Sequence, residues 1–316
     1  MNPTIQNTNT AINTTETRPL IAVVGATGKT GARVLSRLQQ QGYATRGLSR
    51  QPQNTTTERA FDWNDKSGWA DALEGVNSAY VTYFPDLAIP QAEDDVRAFV
   101  EVAKAQGVEH LVLLSGRGEE GAQRAENVVK NSGLSWNLVR ASWFMQNFSE
   151  SFMLDGLQAG ELVLPIPQAT EPFIDVEDIA DVAVAALTRP ELRNQLLEIT
   201  GPELFSFEQC VRAIAETSER DIQLVTVPVE AYLEGAKANG LPDDIAWLIN
   251  ELFVNVLDGR NESTSLTVEQ VLGRPARSFQ QYVAATAPSG VWSSAAFSQT
   301  LQAPTPEAPT PQAPVL

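Results

Sequence analysis

Leu20-Ile21-Ala22-Val23-Val24, followed by Gly25-Ala26-Thr27-Gly28-Lys29-Thr30-Gly31, is the stretch that decides how this chain folds. Five consecutive apolar residues read as a buried strand, the glycines as a tight turn, and Ala32-Arg33-Val34-Leu35-Ser36-Arg37-Leu38 as a helix by its apolar spacing. Strand, glycine turn and helix together make a phosphate cradle. The turn lets backbone approach a pyrophosphate, and the unpaired N–H groups and positive end of the new helix stabilise its charge. The spacing is G-x-x-G-x-x-G, not the commoner G-x-G-x-x-G. A triphosphate-binding loop, G-x-x-x-x-G-K-[ST], would need glycine where Val23 stands inside the strand, so dinucleotide binding is the functional reading. Close helix–sheet packing is the structural alternative for the same glycines.

Outward from this unit, β-α alternation continues. A second strand, Ala44–Leu48, ends at Ser49-Arg50, where dinucleotide folds read the adenosine ribose. An acid there binds the 2′-hydroxyl of NAD, whereas an arginine accommodates the 2′-phosphate of NADP. The acid is missing, and Arg50, with Arg46 nearby, favours NADP(H) over NAD(H). Ala60-Phe61-Asp62 reads as a short third strand that leaves Asp62 and Trp63 near the adenine; Ser78–Tyr83 and His110–Leu114 read as a fourth and a fifth, ending at Phe84-Pro85 and Ser115-Gly116. Ser135–Arg140 is a sixth strand and Leu196–Thr200 a later one. Such alternation predicts a doubly wound parallel sheet with its ligand at the carboxyl ends of the strands. That rule gathers Gly25–Gly31, Arg50, Asp62, Trp63, Thr82, Tyr83, Phe84 and Ser115 onto one rim. Trp143-Phe144-Met145-Gln146-Asn147-Phe148 combines bulky apolar residues with two amides, which suits the wall of a substrate pocket. Trp143, Phe144, Met145, Asn147 and, further on, Phe173 are the candidate substrate contacts. Asp175 heads the helix Ile179–Leu187 as a capping acid, and from residue 222 onward helices dominate.

The predicted organisation is a tail over residues 1–18, a dinucleotide-binding domain over 19–140, a segment over 141–288 that completes the sheet and forms a smaller, mainly helical substrate subdomain, and a Pro/Ala/Thr-rich tail over 289–316. Both tails have the composition of disorder. A net charge of −17 without a Lys/Arg cluster argues against direct nucleic-acid binding. One cysteine, Cys210, and one histidine, His110, give no disulfide and no metal-ligand cluster, and both read as buried structural residues. Neither a secretory signal nor a membrane-length apolar run is present, so the expected location is the cytoplasm.

These motifs resemble the NmrA-like branch of the atypical short-chain dehydrogenases/reductases. The likeness is carried by Gly25–Gly31, Leu113-Leu114-Ser115, Leu138–Phe148, Pro172–Ala180 and Thr200-Gly201-Pro202-Glu203. Phe61-Asp62-Trp63, Gly273-Arg274-Pro275 and Trp292 are similar to the clavine-alkaloid (festuclavine and agroclavine) dehydrogenases within it. The resemblance implies an NAD(P)-binding fold with a C-terminal substrate domain. Gly25, Gly28 and Gly31 would hold the pyrophosphate, Arg50 the 2′-phosphate, and Thr82–Phe84 with Ser115 the nicotinamide side. Members include quinone, triphenylmethane-dye and phenylpropanoid reductases, and also cofactor-binding regulators that turn nothing over.

None of Tyr43, Tyr80, Tyr83, Tyr232 or Tyr282 has lysine four residues later, so the Tyr-x-x-x-Lys proton relay of typical short-chain dehydrogenases is missing. A quinone, enone or iminium accepts hydride into an electron-poor system and needs a positioned acid less than a simple carbonyl does. The expected activity is therefore NADP(H)-dependent reduction of a small conjugated electrophile. Ser115 is the candidate catalytic contact, and Arg117 and Glu119 are weaker ones. The alternative is a non-catalytic NADP(H) sensor working through a regulatory protein partner; a homodimer is compatible with either reading.

Overall fold

The computed structural model describes residues 19–166 and 168–294. Its centre is a sheet of Leu20–Val24 (β1), Ala44–Ser49 (β2), Glu58–Ala60 (β3), Ser78–Val81 (β4), His110–Gly116 (β5), Ser135–Ala141 (β6) and Gln195–Ile199 (β7), in the order β3-β2-β1-β4-β5-β6-β7 with every pair parallel. The apolar run of β1 is divided between two cores: Ala22 and Val24 face one, Ile21 and Val23 the other. A strand buried on both faces needs helices on both sides. Lys29–Gln40 (α1) and Val176–Thr188 (α4) cover one face, while Ala92–Ala105 (α2) and Glu120–Lys130 (α3) cover the other. The order reverses beside β1, where the chain leaves toward β2 on one side and β4 on the other. A crevice opens at that point above the carboxyl ends.

The third strand ends earlier than its sequence suggests. Asp62 leaves the ladder to form a bridge with Asp65, its side chain accepts from the Asn64 N–H at 2.9 Å, and its carbonyl accepts from the Trp69 indole at 2.8 Å. Asp175 caps α4 as expected, accepting from the Glu177 N–H at 2.9 Å. His110 is buried between Ser135 and the Ala186 carbonyl, and Cys210 is buried in the helix Phe207–Thr217.

A third core joins Trp143, Phe148, Phe173, Phe207, Phe253 and Phe279 beyond the sheet, with Glu161–Leu164 and Gln223–Thr226 as a short parallel pair at its edge. The boundary expected at residue 289 is a correction. Trp292 is buried in this core, and its indole N–H donates to the Phe148 carbonyl at 2.7 Å, because one large ring finds an apolar hole despite its Ser- and Ala-rich surroundings. The tail expectations for residues 1–18 and 295–316 lie outside the described residues. Among the described residues no helix is long and apolar enough to cross a membrane.

Candidate functional site

The turn after β1 is shaped by close approaches that only glycine permits. Gly25 has φ +74°, and a Cβ on it would lie 2.2 Å from Thr82 Oγ1; a Cβ on Gly31 would lie 2.1 Å from the Gly25 carbonyl oxygen. The Gly25 and Ala26 N–H groups both donate to the Leu48 carbonyl, at 3.0 and 3.1 Å, and the Gly28 N–H donates to the Gly25 carbonyl at 2.9 Å. Ala26 and Gly31 therefore stand behind the wall rather than in it: one packs into the core, and the other lets α1 seat against the turn. Gly25, Thr27, Gly28, Lys29 and Thr30 line the crevice. Gly28, at the cap position of α1, has no side chain to satisfy the first-turn N–H groups, and no acid occupies that turn. An anion fits such a helix start.

Lys29 turns across the crevice and donates to Asn147 Oδ1 at 2.9 Å. Burial lowers its ammonium to about 8, partly offset by Glu150. At the end of β2, Arg50 is exposed, its guanidinium carbon lies 5.0 Å from the Phe84 ring centroid, and it has no carboxylate partner among the described residues. Arg46 points elsewhere, donating to the Ala72 and Glu74 carbonyls at 3.0 and 2.6 Å, so it does not join Arg50. Asp62 and Trp63 follow on the same wall, with the Trp63 indole donating to the Thr82 carbonyl at 3.0 Å. Tyr83 lies against Trp63 and donates its hydroxyl to Asp95 at 2.8 Å. Burial and Asp95 push its ionisation up, so this phenol is pinned and is no substitute for the missing relay.

Ser115 lines the crevice, but its hydroxyl proton is directed at Glu126, 2.7 Å away. It can accept a hydrogen bond from a ligand and has no proton to give. Trp143, Phe144 and Asn147 are in the wall as expected, joined by Phe152, Leu154 and Leu252. Met145 and Phe173 are corrections: both are buried in the third core, where the Phe173 ring meets Phe148 at 5.6 Å and Phe207 at 5.2 Å. Met145 turns inward at the start of the short helical turn Met145–Phe148 that follows the end of β6 at Ala141, and Phe173 is taken up by the rings it packs against. Sequence reasoning missed Asp86, which lines the crevice with Glu119. Asp86 stands just past β4 as Glu119 stands just past β5, so the rim rule that selected Ser115 also selects this pair.

Together these residues enclose a cavity of about 1010 Å³. The sequence profile of the NmrA-like family matches residues 17–283. An NAD(P)H azoreductase of Xenophilus azovorans is 29% identical over 290 residues, covering 85% of this chain and 98% of that protein. An agroclavine dehydrogenase of Claviceps fusiformis is 28% identical over 276 residues, covering 83% and 96%. The NADPH complex of an Escherichia coli NADPH-dependent quinone oxidoreductase superposes with a TM-score of 0.71 at 20% identity, covering 84% of this chain and 99% of that one, a likeness of fold. A match over most of the chain, with the glycine turn and strand order already described, establishes that the chain belongs to the NmrA-like family.

Proposed function

We propose that this protein is an NAD(P)H-dependent reductase that uses NADPH in preference to NADH and acts on a small conjugated electrophile of the quinone, enone, azo or iminium type. The observation that carries the reading is a single cavity joining an uncapped helix start and the exposed Arg50, which has no carboxylate partner among the described residues, to an aromatic and aliphatic wall of Phe84, Trp143, Phe144, Phe152, Leu154 and Leu252. At about 1010 Å³ it is at the top of the range for small-molecule sites, room enough for a dinucleotide with a flat substrate beside it. The azoreductase and clavine dehydrogenase relatives support the same chemistry.

The residues present fit the cofactor. Thr27, Gly28, Lys29 and Thr30 would face the pyrophosphate, Arg50 the 2′-phosphate, Asp62 and Trp63 the adenine side, and Thr82 to Phe84 with Ser115 the nicotinamide side. A reduced nicotinamide bound there supplies hydride. The protein's share is orientation and exclusion of water. The Trp63 bond to the Thr82 carbonyl fixes the end of β4, Ser115 presents lone pairs to an amide donor, and the apolar wall keeps a planar substrate dry.

Arg50→Ala is expected to weaken NADPH binding about 10- to 100-fold, as loss of a charge-assisted bond of roughly 1.5–3 kcal/mol requires, and to change NADH binding less than about threefold. Equal losses for both cofactors in a fluorescence titration would refute the 2′-phosphate assignment. The function itself is tested by NADPH consumption with a panel of quinones, enones, azo dyes and cyclic imines. Turnover of a panel member supports the reductase; tight NADPH binding with no turnover on any of them would favour the cofactor-sensing regulator.

A further inference from the structure

We propose that Glu119, beside Asp86 in the cavity wall, is the proton donor of this enzyme and does the work assigned elsewhere to a tyrosine. The inference rests on the reductase reading above.

The two carboxyl groups come from neighbouring strand ends. Asp86 sits in the turn after β4, where its Oδ1 accepts from the Ala88 N–H at 2.7 Å. Glu119 precedes the first residue of α3, yet its side chain does not cap that helix. It folds back over Gly116 instead: a Cβ on Gly116 would lie 2.0 Å from Glu119 Oε1 and 2.1 Å from its carboxyl carbon. That glycine makes the space in which the carboxyl lies. Glu119 is 8% exposed and interacts with Asp86, and its Oε2 is buried with no N–H or O–H donor beside it among the described residues. An orphaned buried oxygen beside a ligand cavity is a group awaiting a partner.

Two carboxylates in contact cannot both ionise readily. Burial raises Asp86 to about 6; burial together with the neighbouring Asp86 charge holds Glu119 well above the ordinary carboxylate range. Among the described residues no cation is paired with either acid. Glu126 of α3 and Glu251 add negative charge, with Glu126 itself bound to Arg140 of β6. Arg117 is taken up by Glu198 and the Asn261 carbonyl, and Arg260, which reaches the Gly118 carbonyl, is bound to Asp258. The pair therefore holds a proton more readily than a lone carboxyl does, in the wall shared with Phe84, Ser115 and Trp143.

The step balances simply. The substrate gains a hydride, with its two electrons, at the electrophilic atom from the reduced nicotinamide, which becomes oxidised. The Glu119 O–H bond breaks as a new N–H or O–H bond forms at the atom where negative charge develops. The carboxylate then regains a proton from water after product leaves.

Infrared spectroscopy of the cofactor-free protein and single-turnover hydride transfer from NADPH to a quinone and to an azo dye test this on wild type, Glu119→Gln and Asp86→Asn. A protonated-carboxyl band is expected in wild type at a pH where ordinary carboxyls are ionised, and weaker by one carboxyl in Glu119→Gln, with the buried Glu171 as the remaining contributor. In Asp86→Asn, relieved of the like charge, the Glu119 component should titrate away at lower pH. Hydride transfer in wild type should slow as the same component disappears. In Glu119→Gln it should be about 100-fold slower and flat with pH, at unchanged NADPH affinity. A Glu119→Gln enzyme with the wild-type rate and pH profile overturns the proposal, and so does a wild-type spectrum without the Glu119 component. A wild type that shows the band and binds NADPH but reduces neither probe defeats the reductase reading, and the donor role with it; the surviving band separates that failure from an error about the carboxyl pair.

Discussion

Gly31→Ala is expected to abolish measurable nicotinamide-cofactor binding while the protein stays folded. The new methyl would lie 2.1 Å from the Gly25 carbonyl oxygen and 2.7 Å from its carbon, backbone atoms that cannot rotate away. Either the turn moves or α1 does. The helix is held by Arg33, paired with Glu150 and Glu177 at 2.6 Å each, and by Arg37, paired with Glu177 and with Asp181 at 2.6 Å. The turn is therefore the part that yields, and the phosphate cradle is lost with it. Overpacking of this kind costs about 1–3 kcal/mol, which a domain of this size survives. Titration should show no saturation at 100 times the wild-type dissociation constant, with circular dichroism unchanged. Gly28→Ala is the control. Its Cβ would lie 3.3 Å from the same oxygen, so only a several-fold loss is expected. Wild-type affinity in Gly31→Ala would mean that the cradle is not where the cofactor binds.

Arg140→Met should be the most destabilising single change in the sheet. Glu126 is fully buried and held by Arg140 through Nε at 2.8 Å and Nη2 at 2.5 Å, with Ser115 at 2.7 Å and Lys130 at 3.6 Å as its other partners. Removing the arginine leaves this buried carboxylate with only Ser115 and the longer Lys130 contact, at a cost of up to about 3–5 kcal/mol. Denaturant unfolding should register that loss. Adding Glu126→Leu to the same chain should restore most of it, because an apolar pair of similar volume has no charge to solvate. A Glu126→Leu/Arg140→Met protein no more stable than Arg140→Met would show that the methionine, not the stranded carboxylate, is responsible.

Much of this architecture was legible because β1, its turn and α1 are one local signal, and because the rim rule converts strand ends into a site without any knowledge of contacts. Arg50, Trp63, Thr82 and Ser115 all follow from it. What escaped depended on the third dimension. Phe144 and Met145 are apolar neighbours in sequence, yet one faces the cavity and the other the core, because successive residues at the start of a helical turn point in different directions. Phe173 reads as a pocket aromatic and is a keystone of packed rings. Asp86 reads as a turn residue and Glu119 as a weaker catalytic candidate beside Ser115, and the adjacency of β4 and β5 brings the two acids together. Trp292 carries a family likeness, but its burial does not show in the sequence, because composition averages over a window in which one residue supplies the burial energy.

The placement of Trp63 and Trp143 in the cavity wall, two of the chain's six tryptophans, gives the protein a built-in optical gauge. Reduced nicotinamide absorbs where indole emits, so a cofactor lying along that wall would drain the excited state of both rings by energy transfer, whereas the oxidised form would leave most of it intact. Trp136, on the edge of the first core, and the exposed Trp247 lie outside the cavity wall and would report with different colour and lifetime. Redox state and occupancy could thus be followed in one unlabelled sample by the light the protein itself emits.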